Sequence, residues 1–218
     1  MKLNDYIDHT LLKPTATPDD IEKLCKEAKA NSFYAVCVNP CNVAKAKHEL
    51  KGTEVQIASV VGFPLGASTS QVKVFEAKQA VKDGADEIDM VLNVGFIKAK
   101  LYDEVQAEIA AVKNAIGNRI LKVILETCYL TNEEIRKACQ ICKNAMADYV
   151  KTSTGFGTGG ATEEAVKIMH DEVGDTLKVK ASGGIRDSAT AKKYIAMGIS
   201  RIGTSSGIKI VSNTKKQD

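Results

Sequence analysis

The chain has 218 residues, of which 44% are hydrophobic and 26% are charged, with a net charge of +3 at neutral pH. This composition is ordinary for a globular protein with one large domain, and no lysine-rich block suggests a nucleic-acid-binding arm. The longest apolar runs are too short to cross a bilayer, and the first residues lack the apolar stretch of a signal peptide. We therefore expect a cytoplasmic protein with neither nucleic-acid nor membrane partners.

Strand-like and helix-like segments alternate along the chain. Apolar runs predict strands at residues 6–12, 35–38, 56–61, 87–92, 121–125, 149–152, 178–181 and 201–203. Amphipathic patterns and helix-start residues predict helices at residues 18–30, 41–50, 70–82, 102–116, 131–147, 162–172 and 188–197, with a short last helix after the eighth strand.

Eight strands that alternate with helices predict an α/β fold with a parallel sheet. An open doubly wound sheet usually needs only five or six strands, so we expect a single (β/α)8 TIM-barrel domain over residues 1–218. The polar residues 212–218 are expected to form a disordered tail.

Cys139 and Cys142 form a C-x-x-C pair within a predicted helix. No second pair offers zinc the four ligands that it needs, and the six cysteines do not suggest a disulfide framework. We interpret the pair as small residues on a helix face, and we expect no metal.

Charged residues interrupt strands that should be apolar throughout in a parallel sheet. The residues concerned are spaced two apart within a strand, or face one another from different strands: Glu87, Asp89, Lys122, Glu126, Lys151, Lys178 and Lys180. Glu87, Lys122 and Lys178 could equally form structural ion pairs or reach solvent. Asp89, Lys151 and Lys180 lie near the carboxyl ends of their strands, where barrel enzymes place their active sites.

Two lysines beside a carboxylate favour amine chemistry. Desolvation and a neighbouring cation both lower the pKa of a lysine, and the free amine can then form a Schiff base with a carbonyl. The carboxylate and the second amine can move protons. Such a site needs no cofactor.

Small residues follow the last two strands, at Ser182-Gly183-Gly184 and at Gly203-Thr204-Ser205-Ser206-Gly207. Their backbone N–H groups could bind a phosphate, as they often do after strands seven and eight of a barrel. The glycines at 155, 157 and 160 also match G-x-G-x-x-G, but they follow the sixth strand and the next strand ends in Lys180, which does not favour a dinucleotide site.

The chain resembles the deoxyribose-phosphate aldolase family over nearly its whole length. The segments that carry the resemblance are I-D-H-T-L-L-K-P from residue 7, C-V-N-P from 37, G-F-P-L-G from 62, G-A-D-E-I-D from 84, L-K-V-I-L-E-T from 121, V-K-T-S-T-G-F from 150 and K-A-S-G-G-I-R from 180.

The resemblance implies a metal-free lyase that reversibly cleaves 2-deoxy-D-ribose 5-phosphate into acetaldehyde and D-glyceraldehyde 3-phosphate, in deoxyribonucleotide catabolism. It implies that Lys151 is the Schiff-base nucleophile, that Lys180 promotes its deprotonation, and that Lys180 and Asp89 transfer protons. The phosphate would bind to a group of small residues, namely Gly155, Gly183, Gly184, Ser205 and Ser206. Cys37 would lie near the site without a chemical role, and a homodimer is compatible with the family.

Some family members end in a tyrosine that is thought to assist proton transfer, whereas this chain ends Asn-Thr-Lys-Lys-Gln-Asp. Two other interpretations stay open on the residues alone. A phosphosugar isomerase or epimerase, or a sugar-phosphate-binding protein without activity, would share the glycine loops but would not need two adjacent lysines.

Overall fold

The computed structural model describes residues 2–212, and within them eight parallel strands close into one barrel. The strands are β1 (Ile7–Leu11), β2 (Ala35–Val38), β3 (Gln56–Val61), β4 (Glu87–Val91), β5 (Ile120–Ile124), β6 (Tyr149–Lys151), β7 (Lys178–Ser182) and β8 (Arg201–Thr204). Each strand pairs with its neighbour in sequence, and β8 returns to β1. The predicted (β/α)8 barrel is thus confirmed.

Helices follow the strands and cover the outside of the barrel. Their bounds are α1 (Pro18–Ala30), α2 (Val43–Glu49), α3 (Ser70–Asp83), α4 (Val94–Lys98), α5 (Tyr102–Ile116), α6 (Asn132–Asn144), α7 (Glu163–Val173), α8 (Ser188–Ala196) and α9 (Gly207–Ser212). Short 3-10 turns occupy Leu3–Tyr6, Pro40–Asn42 and Thr127–Tyr129. None of the helices within residues 2–212 is long and apolar enough to span a bilayer.

The helix starts follow from local hydrogen bonding. Thr17 caps α1 and Thr131 caps α6, and in each case the third helical residue, Asp20 or Glu134, accepts a hydrogen bond from the backbone N–H of the cap. This reciprocal arrangement satisfies two backbone donors that would otherwise lack partners at a helix end.

The structure differs from the sequence-based expectation at three places. Helix α4 was not predicted, and α6 ends at Asn144 because the chain turns left-handed at Met146, where φ is 59°. Ser212, expected in a disordered tail, is the last residue of α9, and its hydroxyl donates to the carbonyl of Ile208 at 2.8 Å. The rest of that expected tail, residues 213–218, lies outside the described residues.

The main apolar core lies between the barrel and the helices, whereas the inside of the barrel holds charged side chains and a small apolar cluster of Leu12, Cys37, Ala58 and Val60. Aliphatic residues from the outer faces of the strands pack against the inner faces of the helices in one continuous cluster. Cys139 and Cys142 belong to this core as free thiols, and burial raises the pKa of the Cys139 thiol to about 12. Most of the buried charged side chains point into the barrel, where the candidate site is found.

Candidate active site

A cleft of about 220 Å³ opens at the carboxyl ends of β1, β6, β7 and β8. Lys151 lies at its floor, and the loops that follow the three later strands form its walls. Loops at this end of a barrel can be varied without disturbing the strands, which is why such enzymes bind substrates there.

Lys151 is the last residue of β6, and its side chain is only 3% exposed. Its Nζ donates to Oδ2 of Asp89 on β4 at 2.8 Å. Within the described chain, Lys151 is the single lysine of the barrel interior that also lines the cleft. A ligand in the cleft could therefore reach this amine directly.

Asp89 joins the two lysines that the sequence singled out. Its Oδ2 also accepts from Nζ of Lys180 at 2.8 Å, and the register places Lys151 beside Lys180 on neighbouring strands. Lys180 makes a second, very close contact with Asp8 on β1, which the sequence analysis did not single out. The structure thus brings together the predicted group of Asp89, Lys151 and Lys180.

The charges of these groups are set by one another. Burial alone would raise the pKa of Asp89, but Lys122, Lys151 and Lys180 hold it well below its ordinary value. Burial likewise opposes the charged form of Asp8, but nearby cations, chiefly Lys180, lower its pKa to about 2. Burial would lower the pKa of Lys180, but the Asp8 and Asp89 carboxylates raise it above its ordinary value. Both carboxylates are therefore ionised, and Lys180 is protonated, at neutral pH.

A further set of charges lies deeper in the barrel. Lys122 donates to Oδ1 of Asp89 at 2.7 Å and also contacts Glu87. Arg201, the first residue of β8, binds Oδ1 of Asp8 at 2.6 Å and Oε1 of Glu87 at 2.7 Å. Sequence reasoning missed Arg201, although a lone arginine in a strand that is otherwise buried was the available signal.

Two of the charged residues that the sequence singled out, Lys178 and Glu126, lie outside this group. Lys178 begins β7 at the opposite end of the barrel, is exposed, and places its Nζ 5.8 Å from the ring centroid of Tyr149. Glu126 is not inside the barrel, because the chain turns left-handed there with φ of 53°. Its carboxylate accepts from the backbone N–H of Thr154 at 3.2 Å and from the hydroxyl of the same residue. Glu126 thus holds the loop that follows Lys151.

That loop and the loop after β7 approach each other closely. Gly183 has φ of +84°, and a Cβ on Gly160 would lie 2.3 Å from the Gly183 carbonyl oxygen. Larger residues would therefore push the two loops apart. The hydroxyl of Ser182 donates to the carbonyl of Ser153 at 2.6 Å and adds a further tie between β7 and the segment after β6.

Most of the expected phosphate-binding residues line the cleft. Gly155, Gly183, Gly184 and Ser205 do so, together with the exposed side chains of two cations, Lys13 and Arg186. Ser206 is not among the lining residues, and its backbone N–H donates to Oγ1 of Thr204 at 2.9 Å. The cleft therefore combines small residues, cations and an amine.

Cys37 on β2 is fully buried in the barrel interior. Burial, and next the charge of Asp89, raise the pKa of its thiol above the ordinary value, whereas Lys180 and Lys151 oppose the shift. Cys37 is thus within electrostatic range of Asp89, Lys151 and Lys180. Over residues 2–212 we find no group of three or more His, Cys, Asp or Glu side chains arranged to hold a metal ion.

Comparisons with known proteins agree on one family. A family model described as DeoC/LacD family aldolase matches residues 4–213. A deoxyribose-phosphate aldolase from Clostridium novyi is 56% identical over 219 aligned positions, which cover 100% of this chain and 99% of that protein.

Two solved structures extend the comparison to three dimensions. An aldolase named QR15 matches with a TM-score of 0.95 and 44% identity, covering 99% of this chain and 96% of its own. The tetrameric deoxyribose phosphate aldolase of Aeropyrum pernix matches with a TM-score of 0.89 and 32% identity, over 99% of this chain and 92% of its own.

Proposed function

This chain belongs to the DeoC/LacD family of aldolases, and on that premise we propose that it reversibly cleaves 2-deoxy-D-ribose 5-phosphate into D-glyceraldehyde 3-phosphate and acetaldehyde. The observation that carries the proposal is the position of Lys151. It is bound to a buried carboxylate and lies beside a second lysine, yet it is open to a cleft whose walls suit a phosphate.

Lys151 is the proposed nucleophile. In the open-chain sugar its Nζ attacks the C1 carbonyl, and loss of water from the resulting carbinolamine gives an iminium ion. Asp89, which is ionised, lies 2.8 Å from that nitrogen and stabilises the positive charge. Lys122 and Lys180 make the other contacts of the same carboxylate, so it stays fixed in place.

The iminium ion accepts the electrons of the bond that breaks. The C3 hydroxyl loses a proton, the C2–C3 bond breaks, and its electron pair forms an enamine while D-glyceraldehyde 3-phosphate leaves. Protonation of the enamine at C2 and hydrolysis of the imine then release acetaldehyde and restore the amine. We assign the role of base for the C3 hydroxyl proton to the Asp89 carboxylate and the role of acid towards C2 to the Lys180 ammonium; the 2.8 Å hydrogen bond between them passes the proton from Asp89 back to Lys180.

The phosphate is proposed to bind between the glycine and serine loops. Gly155, Gly183, Gly184 and Ser205 border the cleft, and Lys13 and Arg186 supply positive charge there. For Ser206 we retain only a contact through its hydroxyl, because its N–H already donates to Thr204. Backbone N–H groups and cations together favour a dianionic ligand.

Imine trapping tests the proposal. The protein is incubated with deoxyribose 5-phosphate or acetaldehyde, reduced with borohydride, digested and analysed by mass spectrometry. We expect one stable adduct on Lys151, absent in Lys151→Leu and retained in Lys178→Met, which removes an exposed strand lysine outside the cleft. No adduct, or adducts only on surface lysines, would contradict the aldolase mechanism. A phosphosugar isomerase or a binding protein would give that result.

We propose a cytoplasmic homodimer as the working form. All six cysteines are free thiols, which fits a reducing compartment. Helix α3 exposes two large apolar side chains, with Val72 at 52% and Phe75 at 71%, on a face that a second copy could cover. Size-exclusion chromatography with light scattering should give twice the mass of the chain for the wild type. The variant Phe75→Glu should give the mass of a monomer. A wild-type monomer would contradict the assembly.

A further inference from the structure

The charged side chains inside the barrel form a closed ring in which cations and anions alternate. Three contacts of the ring have distances of 2.6 to 2.7 Å: Arg201 to Asp8, Arg201 to Glu87, and Lys122 to Asp89. Lys180 binds Asp89 at 2.8 Å and closes the path by contacting Asp8, and Lys122 contacts Glu87. In order, the ring reads Arg201, Asp8, Lys180, Asp89, Lys122, Glu87 and back to Arg201.

The ring is buried and its charges cancel. Each of its six residues is at most 2% exposed. Three carboxylates face three cations, so the ring is neutral when every member carries its usual charge. Lys151 is not a member of the ring. Its Nζ contacts Asp89 but none of the other five ring residues. A proton on Lys151 would therefore add an unbalanced charge to a buried cluster, which is costly.

Arg201 completes this balance from the end of the barrel opposite the cleft. It begins β8, and its guanidinium carbon lies 3.2 Å from the ring centroid of Tyr34, which precedes β2. A guanidinium can bind two carboxylates at once in a fixed plane, and it stays protonated throughout the range in which enzymes work. Arg201 does not line the cleft, so it cannot touch a substrate there.

We propose that Arg201 is a positioning residue for the aldolase reaction, which keeps the Lys151 amine available by completing a charge-neutral ring around Asp89. The inference rests on the proposed function of Lys151. Without the charge of Arg201 the ring carries one negative charge, and a proton on Lys151 restores neutrality. The protonated amine cannot attack a carbonyl, so imine formation is suppressed at neutral pH.

Other titratable groups act on Lys151 as well. Asp89 faces it from β4, Lys180 from β7 and Cys37 from β2, whereas Lys13 and Arg186 share its cleft. Cys37 is neutral because burial raises the pKa of its thiol. The replacements at Arg201 and Glu87 leave all of these groups in the protein. A difference between variants in the pH of the acidic limb therefore reports the change in the net charge of the ring.

The test compares four variants: two change the charge of the ring in opposite directions, and two leave the ring neutral. Lys151 is trapped with acetaldehyde and cyanoborohydride from pH 5 to 10, and the initial rate of adduct formation is followed by mass spectrometry. For Arg201→Met we expect the acidic limb of this rate profile to move to higher pH by about one unit, the effect of one charge several ångströms away. kcat at pH 7 should fall about tenfold with little change in KM.

The other variants separate charge from packing. Glu87→Gln removes a negative charge, so its acidic limb should move to lower pH. The double variant Arg201→Met/Glu87→Gln again has a neutral ring, so the midpoint of its acidic limb should return towards that of the wild type; because the two residues are in contact, this variant is measured directly and not calculated from the single variants. Arg201→Lys keeps the positive charge. The midpoint of its acidic limb should therefore equal that of the wild type, even if the variant is less stable.

The pattern of shifts decides between outcomes. The proposal would be overturned if Arg201→Met is folded but its acidic limb has the wild-type midpoint. It would also be overturned if Arg201→Met and Glu87→Gln move this midpoint in the same direction. In either case the charge of the ring would not control the Lys151 amine. If Arg201→Met does not fold, Glu87→Gln and the double variant decide through the opposite shift and its reversal. Absence of a wild-type adduct on Lys151 would instead refute the proposed function.

Discussion

Nζ of Lys151 and Oδ2 of Asp89 lie 2.8 Å apart, although 62 residues separate them in the chain. The contact runs inside the barrel from β6 to β4, past the intervening strand β5. One carboxylate oxygen thereby serves the proposed nucleophile and, through Lys180, the proposed proton donor.

Asp89→Asn should abolish most activity because it removes the negative charge opposite the iminium ion and breaks the path to Lys180. We expect kcat for deoxyribose 5-phosphate to fall by at least about 100-fold. The control is Asp171→Asn, which changes an exposed carboxylate on α7 that pairs with Lys167 and should leave kcat unchanged. Circular dichroism confirms that both variants are folded. A kcat for Asp89→Asn within a few-fold of the wild type would contradict the role of Asp89.

Only some of the charged residues of the site could be predicted from the sequence. Asp89 and Lys180 were recognisable because each shares its strand with a second charge two residues away, a pattern that an apolar parallel strand does not tolerate. Asp8 and Arg201 are single charges at or near the start of their strands, where a side chain can also reach solvent. Their role depends on which strands face each other across the barrel, and this information is absent from local patterns.

The helices and strands could likewise be predicted where the sequence carries a local signal and not where that signal is missing. Eight of the nine α-helices within residues 2–212 and all eight strands were anticipated, because period and capping residues are local signals. Helix α4 has only five residues, too few for a visible period. The end of α6 was placed too late because Met146, rather than a glycine, adopts the left-handed conformation there.

Ser205→Asp should distinguish phosphorylated from unphosphorylated substrate. The added carboxylate would face the proposed phosphate pocket, where Ser205 lines the cleft beside Gly183. We expect KM for deoxyribose 5-phosphate to rise by about 100-fold, whereas KM for 2-deoxy-D-ribose changes by less than about threefold, because only the first ligand is repelled. Steady-state kinetics with both sugars provide the measurement and its control. Equal effects on both sugars would argue against a phosphate site here.

Acid should destabilise the protein through its buried carboxylates. The pKa of Asp8 is lowered from 3.8 to about 2, and that of Asp89 lies well below its ordinary value. Because these values are depressed in the folded state, their contribution is present above about pH 4 and is lost as the pH falls towards 2. For Asp8 alone it is about 2 kcal/mol. Urea unfolding at pH 7, 5, 4, 3 and 2 should show a plateau followed by a steep decline, and a flat profile below pH 4 would refute this linkage.

Cys37→Ala should retain activity despite the position of Cys37 near the site. Burial raises the pKa of the thiol, so it is neutral and a poor nucleophile, and we expect kcat to stay within about threefold of the wild type. The variant should lose about 1 kcal/mol of unfolding free energy from the small cavity. Kinetics at pH 7 and urea unfolding measure the two effects separately. A large loss of kcat in a folded variant would assign the thiol a chemical role.

The buried pair of Lys73 on α3 and Glu108 on α5 provides a stability prediction outside the site. Nζ of Lys73 donates to Oε1 of Glu108 at 2.6 Å and to the carbonyl of Val91, the last residue of β4, at 2.9 Å. Both side chains are at most 1% exposed, and burial lowers the pKa of Lys73 although Glu108 opposes the shift.

Removing only the cation leaves Glu108 charged and without its ammonium partner. Lys73→Met should therefore lower the free energy of unfolding by about 3 to 5 kcal/mol. The double variant Lys73→Met/Glu108→Leu has no buried charge at this position and should recover most of that loss, which urea unfolding of the wild type and the three variants of the cycle can measure. Lys73 lies away from the cleft, so kcat of the folded variants at 25 °C should match the wild type. A double variant that is less stable than Lys73→Met would mean that packing around Glu108, rather than its unpaired charge, sets the cost.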